Sequence, residues 1–113
     1  MNVQVHDQSG CTIIALEGEL DVAVAPQLKT AFKESIEHGQ KRIVVDMKAV
    51  TFIDSSCLGV MVNAHKLAIE QKGAVKFAQT SDQVRKIFEL TRTDRHLAFF
   101  PTIDDAAKSF GSP

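Results

Sequence analysis

Asp54-Ser55-Ser56-Cys57-Leu58-Gly59 stands where an apolar stretch, Val50 to Ile53, gives way to a helical pattern from Leu58 to Ile69. The junction places hydroxyls among the free backbone N–H groups at the positive end of a helix dipole. Such a place accommodates a phosphate. Asp and Ser are also ordinary helix caps. The six residues alone therefore leave two readings of Ser56 open, a phosphoacceptor or a cap.

At ~100° per residue, the helix after Asp54 gathers Ser56, Gly59, Asn63, Lys66 and Glu70 on a polar face. Cys57, Met61, Ala64 and Ala68 fall opposite, flanked by Leu58, Val60, Val62, Leu67 and Ile69. So wide an apolar arc predicts a well-buried helix to about Gln71, closed by Gly73, with Ser56 facing out from its first turn. Downstream, Ala74 to Ala78 predicts a strand. Thr80 and Gln83 have capping-box spacing and open a helix with Val84, Ile87, Phe88 and Thr91 on one face. Leu97 to Phe100 predicts an edge strand ended by Pro101, and Thr102 with Asp105 signals a last helix.

Upstream, Ile43-Val44-Val45 is a short, wholly apolar run of the kind that forms central parallel strands. Val3 and Val5 alternate with polar residues, Asp7-Gln8-Ser9-Gly10 predicts a turn, and Cys11 to Leu16 predicts a buried second strand. Gly18-Glu19-Leu20-Asp21 breaks that pattern. A helix follows from about Ala23, with Pro26 in its first turn, Leu28, Ala31, Phe32 and Ile36 on one stripe, and Gly39 as its stop. After the opening hairpin, strands and helices alternate. The fold class is α/β: one domain over residues 1–113, a small mixed sheet, parallel in its later part, with about four interspersed helices.

Hydrophobic residues make up 44% and charged residues 24%, with a formal net charge of −1. That is the composition of an ordinary soluble domain, without a field to draw nucleic acid or an anionic membrane. The apolar runs are too short to span a bilayer, and residues 1–20 lack the basic start and apolar stretch of an export signal. Cys11 and Cys57 have no metal or redox spacing. The expectation is a cytoplasmic protein that binds neither nucleic acid nor membrane and needs no cofactor.

Candidate chemistry narrows further. The histidines at 6, 38, 65 and 96 show no metal-ligand spacing. No Gly-x-Gly-x-x-Gly, Walker loop or Gly-x-Ser-x-Gly occurs, so any phosphate on Ser56 must come from another protein. Cys57 sits in the first helical turn, where thiol pKa values fall, but its angular position points into the apolar arc and predicts a buried filler. A cysteine hydrolase would need a histidine in reach, and His65 lies ~12 Å further along the helix. Asp21 and Asp54 read as helix caps.

Three stretches together resemble the STAS domain family, shared by sulphate transporters and anti-sigma-factor antagonists, and in particular the stand-alone bacterial antagonists. They are Gly18-Glu19-Leu20-Asp21, then Val45-Asp46-Met47 with Phe52-Ile53-Asp54-Ser55-Ser56-Cys57-Leu58-Gly59, and finally Phe99-Phe100-Pro101-Thr102-Ile103-Asp104-Asp105-Ala106. The resemblance covers essentially the whole chain, in order and spacing. It implies a non-enzymatic partner-switching regulator of transcription. Unphosphorylated, such a protein binds an anti-sigma factor that is also a serine kinase. Phosphorylation of the second serine, here Ser56, ends the binding, and a serine phosphatase restores it. The resemblance places Asp21 beside the acceptor and implies a partner surface of Asp21, Asp54, Ser55, Ser56, Gly59 and Asn63. Cys57 departs from the family, which usually has glycine there. Two alternatives remain: an unswitched STAS scaffold or small-ligand module, and a receiver domain phosphorylated on Asp54. The receiver needs an adjacent acidic pair for magnesium, whereas Glu19 and Asp21 are spaced apart.

Overall fold

A computed structural model of the chain describes residues 2–111. Five strands form one sheet in sequence order: β1 (Val3–Gln8), β2 (Cys11–Leu20), β3 (Arg42–Ile53), β4 (Ala74–Ala78) and β5 (Ala98–Phe100). The β1–β2 pair is antiparallel and the other three pairs are parallel. Between and after the strands come α1 (Ala25–Glu37), α2 (Ser55–Glu70), α3 (Asp82–Leu90) and α4 (Ile103–Lys108). The α/β mixed sheet with four helices is the expected one. A 3₁₀ turn over Thr93–His96, for which the sequence reading had no signal, precedes β5.

The hairpin is tighter than the predicted four-residue turn. Gln8 pairs with Cys11, and Ser9 and Gly10 both have positive φ, so a two-residue connection suffices. Val5 is exposed; of the two valines in β1, only Val3 reaches the core.

The larger differences concern β2 and β3. Gly18-Glu19-Leu20 does not end β2. The strand continues to Leu20 through register shifts at Ala15/Glu17 and Gly18/Glu19, with Gly18 at φ +79°. Such bulges hide the period-two signal. β3 likewise runs on past Val45, joining the Ile43–Val45 run to the Val50–Ile53 stretch in one strand of 12 residues. Its pairing with β4 stops at Asp46, while its pairing with β2 continues to Leu20–Ile53. Two strands therefore project beyond the sheet as a ribbon and deliver Asp21 and Asp54 to the same end.

Adjacent residues in the central strands face opposite sides, and helices cover both. Ile14, Leu16, Ile43, Val45, Met47, Val75 and Phe77 pack in a core with Leu28 and Phe32 of α1, with Cys57, Leu58, Met61, Ala64 and Ala68 of α2, and with Val84 and Phe88 of α3. The opposite face is smaller, with Cys11, Ile13, Val44 and Ala78 packed against Ala106 and Ala107 of α4. The buried arc of α2 is narrower than predicted, since Leu67 and Ile69 are exposed.

The caps agree with the sequence at α2 and α4 and differ at α3 and α1. Asp54 accepts from the Cys57 N–H at the start of α2, and Thr102 accepts from Asp105 N–H at α4. At α3 the cap is Ser81, not Thr80; its hydroxyl accepts from the Val84 N–H. The left-handed residue that ends α2 is Lys72, at φ 65°, and the Gly73 N–H then donates to the Ala68 carbonyl at 2.8 Å. Gly73 itself is required because a Cβ there would lie 2.8 Å from the Lys41 Cα. His65 is a packed histidine whose Nδ1 accepts from the Val75 N–H at 3.1 Å. Burial holds its pKa below the usual imidazole value, which suits a ring nitrogen that must keep its lone pair for that N–H.

Phe77 lies fully buried against Phe88 and Phe99, with ring centroids 5.8 and 5.4 Å away, and those two rings touch each other at 5.0 Å. Phe77→Ala should cost about 3–5 kcal/mol in urea denaturation. A loss below about 1 kcal/mol would show that this aromatic cluster is not packed as described.

Candidate functional site

The ribbon sets the geometry of the site. Leu20 and Ile53 are register partners, and the Asp54 N–H donates to the Leu20 carbonyl at 3.0 Å. Asp21 and Asp54 thus leave the sheet side by side, one leading to α1 and the other to α2. Asp54 is extended at φ −100°, ψ 176°, the conformation of a helix cap.

One Asp54 oxygen accepts two hydrogen bonds, from the Ser56 hydroxyl at 2.6 Å and from the Cys57 N–H at 3.2 Å. The Ser56 hydroxyl is the main influence holding the Asp54 carboxyl below the usual carboxylate range; partial burial opposes it, and backbone N–H groups of Cys57, Ser56 and Val22 reinforce it.

The cap of α2 is therefore Asp54, and Ser56 is the second residue of the helix, with its hydroxyl hydrogen directed at that cap. Ser56 is half-buried rather than fully outward, while Ser55 beside it is exposed. Asp21 does not cap α1. Its carboxylate accepts from the Ala23 N–H and shapes the loop, and Val24 stands at the helix start without a side-chain cap. The Asp21 carbonyl accepts from Val24 N–H and, at 3.4 Å, from the Cys57 thiol. Cys57 is fully buried, as its angular position predicted. Burial raises its pKa, the Ser56 contact opposes this, and the charges of Asp54 and Asp21 add to the rise. It is a neutral thiol that fills the core.

Ser56, Gly59 and Asn63 line a groove of about 760 Å³ between α1 and α2. Its floor includes Phe32, Ile36, Val60 and Ala64, and Lys29 and Lys33 of α1 stand along its other wall. Glu70 also lines it, but Lys66, predicted on the same face, does not. A Cβ on Gly59 would meet nothing within 4 Å, so that glycine keeps the helix surface low without being sterically required.

A model of the STAS domain matches residues 2–106 of the chain. The chain belongs to the STAS domain family. It is 30% identical over 111 residues to the anti-sigma-B factor antagonist of Bacillus subtilis strain 168, covering 98% of this chain and 95% of the relative. Among solved structures, an anti-sigma factor antagonist from Mycobacterium paratuberculosis superposes with a TM-score of 0.84 at 25% identity, over 95% of this chain and 91% of that one. The anti-sigma factor antagonist SpoIIAA has been solved unphosphorylated (TM-score 0.80, 22% identity, 96% of this chain and 95% of that one). It has also been solved phosphorylated (TM-score 0.73, 21% identity, 96% and 98%). At that identity the likeness shows the fold.

Sequence reasoning passed over four side chains near the Asp54–Ser56 step of this STAS domain. Val22 is 72% and Phe52 45% exposed, both large apolar groups beside the start of α2. Lys29 and Lys33 border the same groove as Ser56. Val22 follows Asp21 and Phe52 precedes Asp54, and the pairing of Leu20 with Ile53 brings the two segments to one end of the sheet.

Because the folded state depresses the Asp54 pKa, its stabilisation is present above the ordinary carboxylate range and is lost as pH falls through the depressed value. Asp54→Asn should therefore lower the urea midpoint at neutral pH, and the gap to the parent should close in strong acid. An equal gap at both pH values would show that shape alone, and not charge, makes this cap.

Proposed function

We propose that this STAS domain is an anti-sigma-factor antagonist switched by phosphorylation of Ser56. Unphosphorylated, it binds an anti-sigma factor with serine-kinase activity through Asp21, Asp54, Ser55, Ser56, Gly59 and Asn63. Phosphorylation releases it, and a serine phosphatase returns it to the binding form. It works in the cytoplasm as a binding module and needs no cofactor of its own.

The observation that carries this reading is the 2.6 Å bond from the Ser56 hydroxyl to Asp54. With its hydrogen on the carboxylate, the oxygen keeps its lone pairs for attack on phosphorus. In the transfer, the Ser56 Oγ forms the new P–O bond as the bond to the departing nucleoside diphosphate breaks. The hydroxyl proton leaves toward Asp54. The kinase supplies the nucleotide and metal. The names of the relatives and the existence of a phosphorylated form of a protein with this fold support the same reading.

Phosphorylation adds about −1.5 to −2 charges at pH 7. At a helix N-terminus that charge meets favourable N–H groups, so the domain itself has little reason to rearrange. The segments that flank Asp21 and Asp54 carry the exposed Val22 and Phe52. A partner that desolvates these side chains must also desolvate the dianion, which is costly unless it is paired. Release then follows from the interface and not from unfolding.

A groove between α1 and α2 also suits an unswitched STAS module that holds a small ligand. That alternative predicts no phosphoserine at position 56 in protein isolated from its host. Under the switch, Ser56→Ala should abolish phosphate incorporation by the cognate kinase and change stability by no more than about 1 kcal/mol, since it removes one hydrogen bond and adds a good helix former. Undiminished incorporation would move the site, with Ser55 the next residue to test.

A further inference from the structure

The α1–α2 groove is lined by Ser56 on one helix and by two cations, Lys29 and Lys33, on the other. β2 and β3 are neighbouring parallel strands, so the helices that follow them run in the same direction with their N-termini together. Lys29 stands four residues into α1, ~6 Å along its axis, and Lys33 one turn beyond. Helical side chains lean back toward the N-terminus, which turns both lysines toward the level of Ser56. Both are exposed, and both line the groove that Ser56 borders; the carboxylates that also line it, Glu37 and Glu70, stand at its other end, ~18 and ~21 Å along their helices from Ala25 and Ser56.

Asp54 decides which way a phosphate goes. Its carboxylate lies 2.6 Å from the Ser56 oxygen in the hydroxyl form. Once that oxygen is esterified the hydrogen bond is gone, and two anions face each other at contact distance. Rotation about χ1 of Ser56 relieves the repulsion, and the groove is the space that Ser56 already borders. We propose that Lys29 and Lys33 hold the phosphate of phosphorylated Ser56, drawing it into the mouth of the α1–α2 groove. The proposal rests on Ser56 being the acceptor. It makes α1 part of the switch: the phosphate lies across the groove, near the floor residues Phe32 and Val60, and closes that end to a partner.

The test uses full-length protein with phosphoserine installed at position 56 during synthesis, so that no kinase is needed. Phosphorus NMR then follows the second ionisation of the phosphate. In Lys29→Gln/Lys33→Gln it should move up by at least about half a pH unit relative to the parent, because nearby cations favour the dianion. The gap should narrow in roughly 1 M salt. Lys66→Gln, whose residue lies outside the groove, should leave the value in place. The double variant should fold, since both lysines are exposed, and circular dichroism checks this. An unmoved ionisation, or an equal movement in Lys66→Gln, overturns the clamp. Whether Ser56 is the natural acceptor is read separately from incorporation into Ser56→Ala, so either idea can fail while the other stands.

Discussion

Asp54 joins the sheet, through its N–H to the Leu20 carbonyl, to the first turn of α2, through its carboxylate. It accepts the Cys57 N–H and the Ser56 hydroxyl, and the Val22 N–H lies close enough to bias its ionisation. Without it, the second helix loses its cap and the acceptor hydroxyl its orientation. The same carboxylate repels whatever anion is added to Ser56. In the proposed switch, one side chain orients the serine hydroxyl and opposes the phosphorylated product.

The sheet supplies the rest. Because β2 and β3 run beyond β4 as a paired ribbon, the chain leaves both strands at one end, and α1 and α2 start together. A right-handed crossover then lays the two helices side by side on the larger core face. Their shared floor of Phe32, Ile36, Val60 and Ala64 is apolar, and their rims carry opposite chemistry, a serine on one and two lysines on the other. The proposed switch therefore sits on a pair of helices that also packs the larger core face. Cys57 belongs to the packing side: it is fully buried and its thiol donates to the Asp21 carbonyl.

Much of this was legible in the residues. The β4 strand, the Asp54 and Thr102 caps and the buried quartet of α2 follow from apolar periodicity and capping chemistry, which act over a few residues. The lengths of β2 and β3 were not legible, because bulges near Gly18 break the alternation and because Lys48 and Ala49 are exposed in the ribbon. Thr80 competed with Ser81 for the α3 cap, and the choice depended on backbone geometry that composition does not carry. The lysines of α1 were invisible as site residues. Nothing local relates position 29 to position 56; the parallel register does.

The most direct test compares backbone chemical shifts of the domain with and without phosphate on Ser56, alongside the affinity of each form for the partner. A local switch predicts shift changes confined to residues 19–24, 29–33 and 52–63, together with a sharp fall in affinity. Changes spreading through the sheet to α4, Ile103–Lys108, would contradict the account, because they would show that the phosphate acts by rearranging the fold and not by altering one surface.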